Sequence, residues 1–186
     1  MIAFLPILAT SPQVQERVRQ LRNQPLVRRH MYTEHEISVE EHQHWLASLA
    51  GNARQAVFVV MVEDIPRGVV SLNAINPLHQ CADWAFYLDS ELQGKGLGSQ
   101  VECWLLDHAF DDVRLAKLNC EVLATNPAVV RLHQKFGFSL EGVRRQNVFK
   151  EGERLDVILL GITAQEWHAR RPQIVERLAR LQTIQS

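Results

Sequence analysis

Apolar residues along the chain fall into two periods, one of two residues and one close to 3.6. Ile2 to Leu8, Ala56 to Val62, Arg67 to Asn76, Ala82 to Leu88 and Leu115 to Leu123 read as strands. Pro6 marks the first as an edge strand. Glu63-Asp64-Ile65-Pro66 joins the second and third as a hairpin, though not of the two-residue Asn-Gly type. Phe138 to Lys150 and Arg154 to Gly161 read as a closing hairpin around Glu151-Gly152-Glu153.

Helical spacing fills the gaps. Ser11-Pro12 starts a helix to about Arg22 with Val14, Val18 and Leu21 on one face, and Asn23-Gln24-Pro25 breaks it. Ser38-Val39-Glu40-Glu41 is a capping box. It opens a helix with His42, Trp45, Leu46 and Leu49 that stops at Gly51-Asn52. A third helix runs from Gly96 to Phe110 with Val101, Trp104, Leu105, His108 and Ala109 at helical spacing. Asn126-Pro127 starts a short one ending at Phe136-Gly137. The last, Ala164 to Leu181, carries Trp167, Ile174, Val175, Leu178 and Leu181, and Pro172 predicts a kink or two pieces. The order β-α-α-β-β-β-α-β-α-β-β plus a tail helix predicts an α/β chain of mixed α+β type. Its central sheet is mixed and mostly antiparallel, with helices on both faces.

Length and charge narrow the class. The 186 residues favour one domain, expected over 1–163, with 164–186 as a helical tail packed on it. The chain is 46% apolar and 22% charged, with a net charge of −1. That balance offers no electrostatic case for nucleic acid or an anionic membrane. Cys81, Cys103 and Cys120 lack metal-ligand spacing, so no metal is expected and buried thiols in a reducing compartment are. Met1 to Thr10 has no basic n-region and is interrupted by Pro6, which predicts neither a signal peptide nor a span. A cytoplasmic location is therefore expected.

The stretch from Ala82 to Ser99 organises the chain. An aromatic strand leads through a polar turn into Gln93-Gly94-Lys95-Gly96-Leu97-Gly98-Ser99 and a helix. Glycines let backbone approach a ligand, and a helix N-terminus favours phosphate. Lys95 adds a positive charge. A Walker loop is excluded because Gly98 is followed by Ser99-Gln100, and a Rossmann fingerprint because Gly94, Gly96 and Gly98 alternate. A plain strand-to-helix turn remains the other reading.

Gln93-x-x-Gly96-x-Gly98 resembles the pyrophosphate loop of the GNAT family of N-acetyltransferases, which bind acetyl-coenzyme A. Asn126-Pro127-Ala128 through Leu132-His133-Gln134-Lys135-Phe136-Gly137-Phe138 resembles that family's second cofactor motif. The resemblance implies a single GNAT fold and acetyl-CoA as cosubstrate. It implies that Tyr87 and Leu88 lie beside the pantetheine and that Gln93, Gly94, Lys95, Gly96, Leu97, Gly98 and Ser99 cradle the pyrophosphate. Asn126 would reach the pantetheine, and Lys135 the nucleotide end, unless Lys135 is only a solvated helix residue. His133 stands where most relatives have the tyrosine that protonates the departing thiolate. A protonated histidine can serve there, or the ring can simply pack.

The N-terminal third resembles a narrower group, the enzymes that N-acetylate a UDP-linked 4-amino-4,6-dideoxy sugar on the route to pseudaminic acid. Arg22-Asn23, Met31-Tyr32 and Ser38 to His42 carry that likeness. It implies a nucleotide-linked amino-sugar acceptor bound by Arg22, Met31, His42, Asn73 and Tyr87. Arg22 would hold the diphosphate and His42 would take the amine proton. The plainer readings are a helix C-cap for Arg22 and a filled helix face for His42. Two further readings stand: acetylation of a protein N-terminus or amino acid, as in ribosomal-protein acetyltransferases, and a non-catalytic coenzyme A module. Exposed strand edges make a homodimer reasonable.

Overall fold

The computed structural model describes residues 1–92 and 94–185, with side chains through Leu181. Its strands are β1 (Ile2–Pro6), β2 (Ala56–Val62), β3 (Ile65–Asn76), β4 (Cys81–Leu88), β5 (Lys117–Leu123), β6 (Ser139–Lys150) and β7 (Glu153–Thr163). Its helices are α1 (Pro12–Asn23), α2 (Pro25–Arg28), α3 (Val39–Leu49), α4 (Leu97–Asp107), α5 (Pro127–Phe136) and α6 (Ala164–Gln185). The strands form one seven-stranded sheet in the order β1-β2-β3-β4-β5-β7-β6. Every pairing is antiparallel except β4 with β5.

Period-two alternation divides the apolar residues between two faces. On β2, Val57, Val59 and Met61 point into a core shared with Ile7, Val18 and Leu49, under α1 and α3. Phe58, Val60 and Val62 point the other way, into the larger core that α4, α5 and α6 cover. Trp84, Phe86 and Leu88 join that larger core, while Tyr87 packs on the first. The mixed sheet with helices on both faces is thus the architecture that the pattern predicts.

Local signals act as expected at several ends. Pro6 closes the edge strand β1, opposite Phe58. The Ser11 side chain accepts from the Val14 amide, and both halves of the Ser38–Glu41 capping box are made. Two expectations need correction. The β2–β3 connection is a two-residue turn, because Val62 pairs with Ile65. Glu63 and Asp64 adopt φ of 50° and 62°, the left-handed pair that a tight hairpin requires, without Asn or Gly. Glu151 and Gly152 do the same between β6 and β7. The last helix does not divide at Pro172: α6 is continuous, with Pro172 inside it. Trp167 and Ile174 anchor it in the larger core, while the Trp167 indole and Arg171 both donate to Asp107.

The parallel pair does not stay together. β4 pairs β5 only from Cys81 to Asp83 against Lys117 to Asn119. Beyond that register β4 runs on to Leu88 and β5 to Leu123, and the sheet opens into a wedge at their C-terminal ends. The outer edge of each strand stays paired, with β3 and β7 respectively. Backbone groups along the inner edges therefore face the wedge.

Candidate active site

The wedge opens beside the start of α4. Asp89 directly follows β4 and is buried. It accepts from Arg67 at 2.9 Å and from Gln24 at 3.0 Å, and the Gln24 side-chain oxygen accepts from the Ser90 amide. Burial pushes the Asp89 carboxyl up, but these hydrogen bonds outweigh that and hold it below the ordinary aspartate value. The loop after β4 is thus pinned to the α1–α2 corner. Gly94 and Gly96 then take φ of 76° and 81°, and a Cβ on either would meet nothing within 4 Å. Glycine is required there by the backbone conformation, and the space in front stays open. Gly96 is the N-cap of α4 and no side chain caps it. An uncapped helix start behind a glycine turn presents amides to an anion.

These features fit coenzyme A. The helix start suits a pyrophosphate. The wedge suits an extended arm carrying amides, which takes the place of a missing strand partner. Gly94 and Lys95 are exposed, whereas the Leu97 side chain is buried in the core, so only its backbone is available to a ligand. Gly98 and Ser99 lie in the first turn of α4, and Gln93 falls outside the described residues. Ser99, Lys135 and Arg177 border a small hollow of about 60 Å³ between α4, α5 and α6. The Asn126 side chain makes no cap on α5, so its amide is not committed to the helix. Tyr87 and Leu88 end β4 at the wedge, and they divide between the faces. The Leu88 side chain packs into the larger core, and the Tyr87 hydroxyl donates to the Val18 carbonyl at 3.4 Å. A Cβ on Gly68 would lie 2.3 Å from the Tyr87 carbonyl oxygen, so only glycine lets β3 hug this end of β4.

On the α1–α3 face a cavity of about 400 Å³ opens over β2, β3 and β4. Arg22, Met31, His42, Asn73 and Tyr87, five residues scattered through the sequence, all line it. Asn73 accepts from Gln55 at 3.1 Å and donates to Ser71 at 3.0 Å. The His42 Nε2 meets the Gln15 carbonyl at 2.9 Å. A carbonyl only accepts, so Nε2 carries a proton and Nδ1 holds the lone pair in the neutral ring. Burial pushes the His42 imidazole below its ordinary value, against the opposing effect of its hydrogen bond to the Gln15 carbonyl.

Arg22 is half-buried and its partners are few. Nη2 donates to Thr33 Oγ1 at 2.9 Å, and Nη1 is buried with no hydrogen-bond partner. Burial is what depresses its guanidinium, and Arg28 adds to that. Arg19, also on the wall, is taken up by Glu16 and the Ile37 carbonyl. The lining carboxylate, Glu41, is engaged by His35 and the Ser38 amide. The loop that carries Met31 is held from the far hairpin. Buried Lys150 donates to the carbonyls of Arg28, Arg29 and Met31 at 2.7, 3.0 and 2.7 Å.

His133 lies on the opposite face. Its ring packs against Trp84 and Phe86, with centroids 4.9 and 6.1 Å away, on the part of β4 that has left β5. Its Nδ1 lies 2.9 Å from the carboxylate of Glu102 on α4. Glu102 was not legible as a site residue. Its sole signal is a carboxylate between Val101 and Cys103 on a helix that is apolar at that level. Among the described residues no cluster could hold a metal ion, and no helix is long and apolar enough to cross a membrane.

A splayed parallel pair, a glycine-entered helix and a cavity on the α1–α3 face of the wedge fit a coenzyme A-dependent acyltransferase fold. The chain belongs to the acetyltransferase (GNAT) domain family, whose model matches residues 10–139 and whose members use acetyl-CoA as cosubstrate. It is 30% identical to spermidine N(1)-acetyltransferase of Escherichia coli over 112 residues, 60% of each chain. It is 32% identical to the ribosomal-protein-serine acetyltransferase of the same organism over 103 residues, 55% of this chain and 58% of that one. These matches thus span about 60% of the relatives' own length. Spermidine N-acetyltransferase of Vibrio cholerae, solved with CoA and spermine, superposes with a TM-score of 0.82 at 23% identity. That alignment covers 89% of this chain and 97% of the other.

Proposed function

We propose that the protein transfers an acetyl group from acetyl-CoA to the amine of a small acceptor that also carries an anionic group. A nucleotide-linked amino sugar is the class that fits. The observation carrying this reading is Arg22, a cation in the wall of the acceptor cavity with a buried nitrogen unpartnered and no carboxylate beside it. A buried guanidinium nitrogen without a partner is costly, and a phosphate placed there would satisfy it. A polyamine would need the reverse, free carboxylates in the wall, and Glu41 is already committed.

When bound, acetyl-CoA supplies a thioester whose carbonyl carbon the amine attacks, with the thiolate as leaving group. The amides at the start of α4, together with Lys95, Asn126 and Lys135, would hold the cofactor, and the inner edges of β4 and β5 would orient its arm. His42, neutral and with Nδ1 unprotonated, takes the proton from the acceptor ammonium. Arg22, Met31, Asn73 and Tyr87 place the acceptor over the wedge. His133 protonates the sulfur. Cys103 and Cys120 do not compete as nucleophiles, because burial pushes the Cys103 thiol up to about 11 and the Cys120 thiol higher still.

The test is a panel of amines assayed with acetyl-CoA: a UDP-linked 4-amino-4,6-dideoxy sugar, spermidine, and peptides with free N-termini. The nucleotide sugar is expected to be acetylated best. Arg22→Ala should raise its KM about tenfold or more, from the loss of charge-assisted hydrogen bonds, with little change for acetyl-CoA. Efficient turnover of spermidine or peptides with silence on the sugar nucleotide would reject the anionic acceptor.

A further inference from the structure

Glu102 and His133 bury a potential ion pair deep between α4 and α5. The side chains are 0% and 3% exposed. One Glu102 oxygen contacts His133 Nδ1, and the other, Oε2, is buried with no partner. Removing a carboxylate from water costs several kcal/mol, and a single partner leaves much of that uncompensated. Stability alone does not account for the residue, since a neutral side chain of similar shape fills the space without that penalty.

We infer that Glu102 is a positioning residue for acetyl transfer, holding His133 with Nδ1 engaged so that Nε2 delivers a proton to the departing thiolate. This inference rests on the acetyl-transfer reading above. Three observations carry it. Nδ1 is committed to Glu102, which leaves Nε2 as the nitrogen for chemistry. The ring lies against Trp84 and Phe86, in the segment of β4 that borders the wedge. Two thiols interact with the carboxylate, Cys103 and Cys120, both kept protonated by burial, and Asp83 and Glu121 act on Cys120 from farther out. Trp84 and Phe138 pack against the His133 ring.

The step balances simply. As the amine forms its bond to the acetyl carbon, the C–S bond breaks and its electron pair goes to sulfur. The Nε2 proton of the imidazolium moves to that sulfur and leaves a neutral imidazole. The Glu102 oxygen holds Nδ1 before and after the transfer, so the ring does not turn as the Nε2 proton leaves. Burial itself pushes the Glu102 carboxyl up, and the neighbouring His133 opposes that.

Glu102→Gln tests this, because it keeps shape and a hydrogen-bond acceptor while removing charge. The variant is expected to melt at or above the wild-type temperature and to bind CoA with unchanged affinity by calorimetry. Its kcat should fall about tenfold or more, with an altered kcat–pH profile. In a His133→Phe background the same change should cost nothing further, since the two residues act as a unit. Nitrogen NMR of the ligand-free protein should show the His133 ring protonated at Nδ1, with that fixed state lost in Glu102→Leu. Two results overturn the inference: an unchanged kcat and pH profile in Glu102→Gln, or a parallel loss of melting temperature and CoA affinity. If the wild-type protein acetylates no amine, the acetyl-transfer reading fails, while the NMR measurement still decides whether Glu102 sets the ring.

Discussion

The two histidines singled out by the motifs sit in opposite settings. His42 faces a backbone carbonyl on the α1–α3 face of the sheet, and His133 faces a carboxylate on the other. Burial depresses the His42 imidazole, so its neutral form persists below the ordinary histidine value of about 6.5. The acidic limb of kcat/KM is therefore expected below about pH 6.5. His42→Ala should lower kcat on the order of a hundredfold and abolish that limb; unchanged rates and profile would remove His42 from the chemistry. Stability has the same sign. The unfolded chain protonates His42 first, so the native state loses stability as pH falls through that range. At this scale a grouping was legible: Arg22, Met31, His42, Asn73 and Tyr87, singled out from the sequence, line one cavity. Glu102 was not, since a glutamate within a helix reads as a solvated residue until its neighbours are known. The missing partner of Arg22 was likewise invisible, because a sequence shows residue types and no hydrogen bonds.

Among the elements, α4 bears most on the proposed site. Its start presents amides without a capping side chain, its middle holds Glu102, and its end, through Asp107, fastens α6. Gly96→Val tests the start. Valine at φ of 81° is strained by about 1–2 kcal/mol, yet its Cβ meets no neighbour, so the fold should survive. CoA affinity should drop at least tenfold, because the strained loop re-aims the amides and a branched side chain stands before them. Wild-type affinity by calorimetry would take the pyrophosphate away from this loop. The elements themselves were largely readable from period and caps; β2 runs from Ala56 to Val62, as its pattern predicts. The misses have local causes. Glu63-Asp64 makes a tight turn without the usual residues, because the pairing on either side holds the backbone left-handed. Pro172 does not divide α6, because Trp167 on one side of it and Ile174 on the other are both fixed in one core.

The whole molecule is organised around the parting of β4 and β5. The order of elements predicts a mixed, mostly antiparallel sheet, but not that its parallel pair, β4 with β5, separates after Asp83 and Asn119. That depends on packing from both sides. Trp84, Phe86 and Leu88 are drawn to the larger core, while Arg67 and Gln24 grip Asp89 at the end of β4. Inner-edge amides of residues 84–88 and 120–123 then lack a strand partner and should exchange readily in the free protein. An arm laid in the wedge supplies acceptors for some of them. At CoA one hundred times its dissociation constant, linkage adds about 2.7 kcal/mol. For a chain of this size that corresponds to a rise in Tm of about 5–10 °C. Hydrogen exchange with and without CoA should show protection concentrated at these two segments and at the start of α4, with β1, β6 and the α1–α3 face little changed. Protection spread evenly over the sheet would mean that CoA stabilises the molecule globally without occupying the wedge. Protection confined to the hollow beside Lys135 and Arg177 would place it outside.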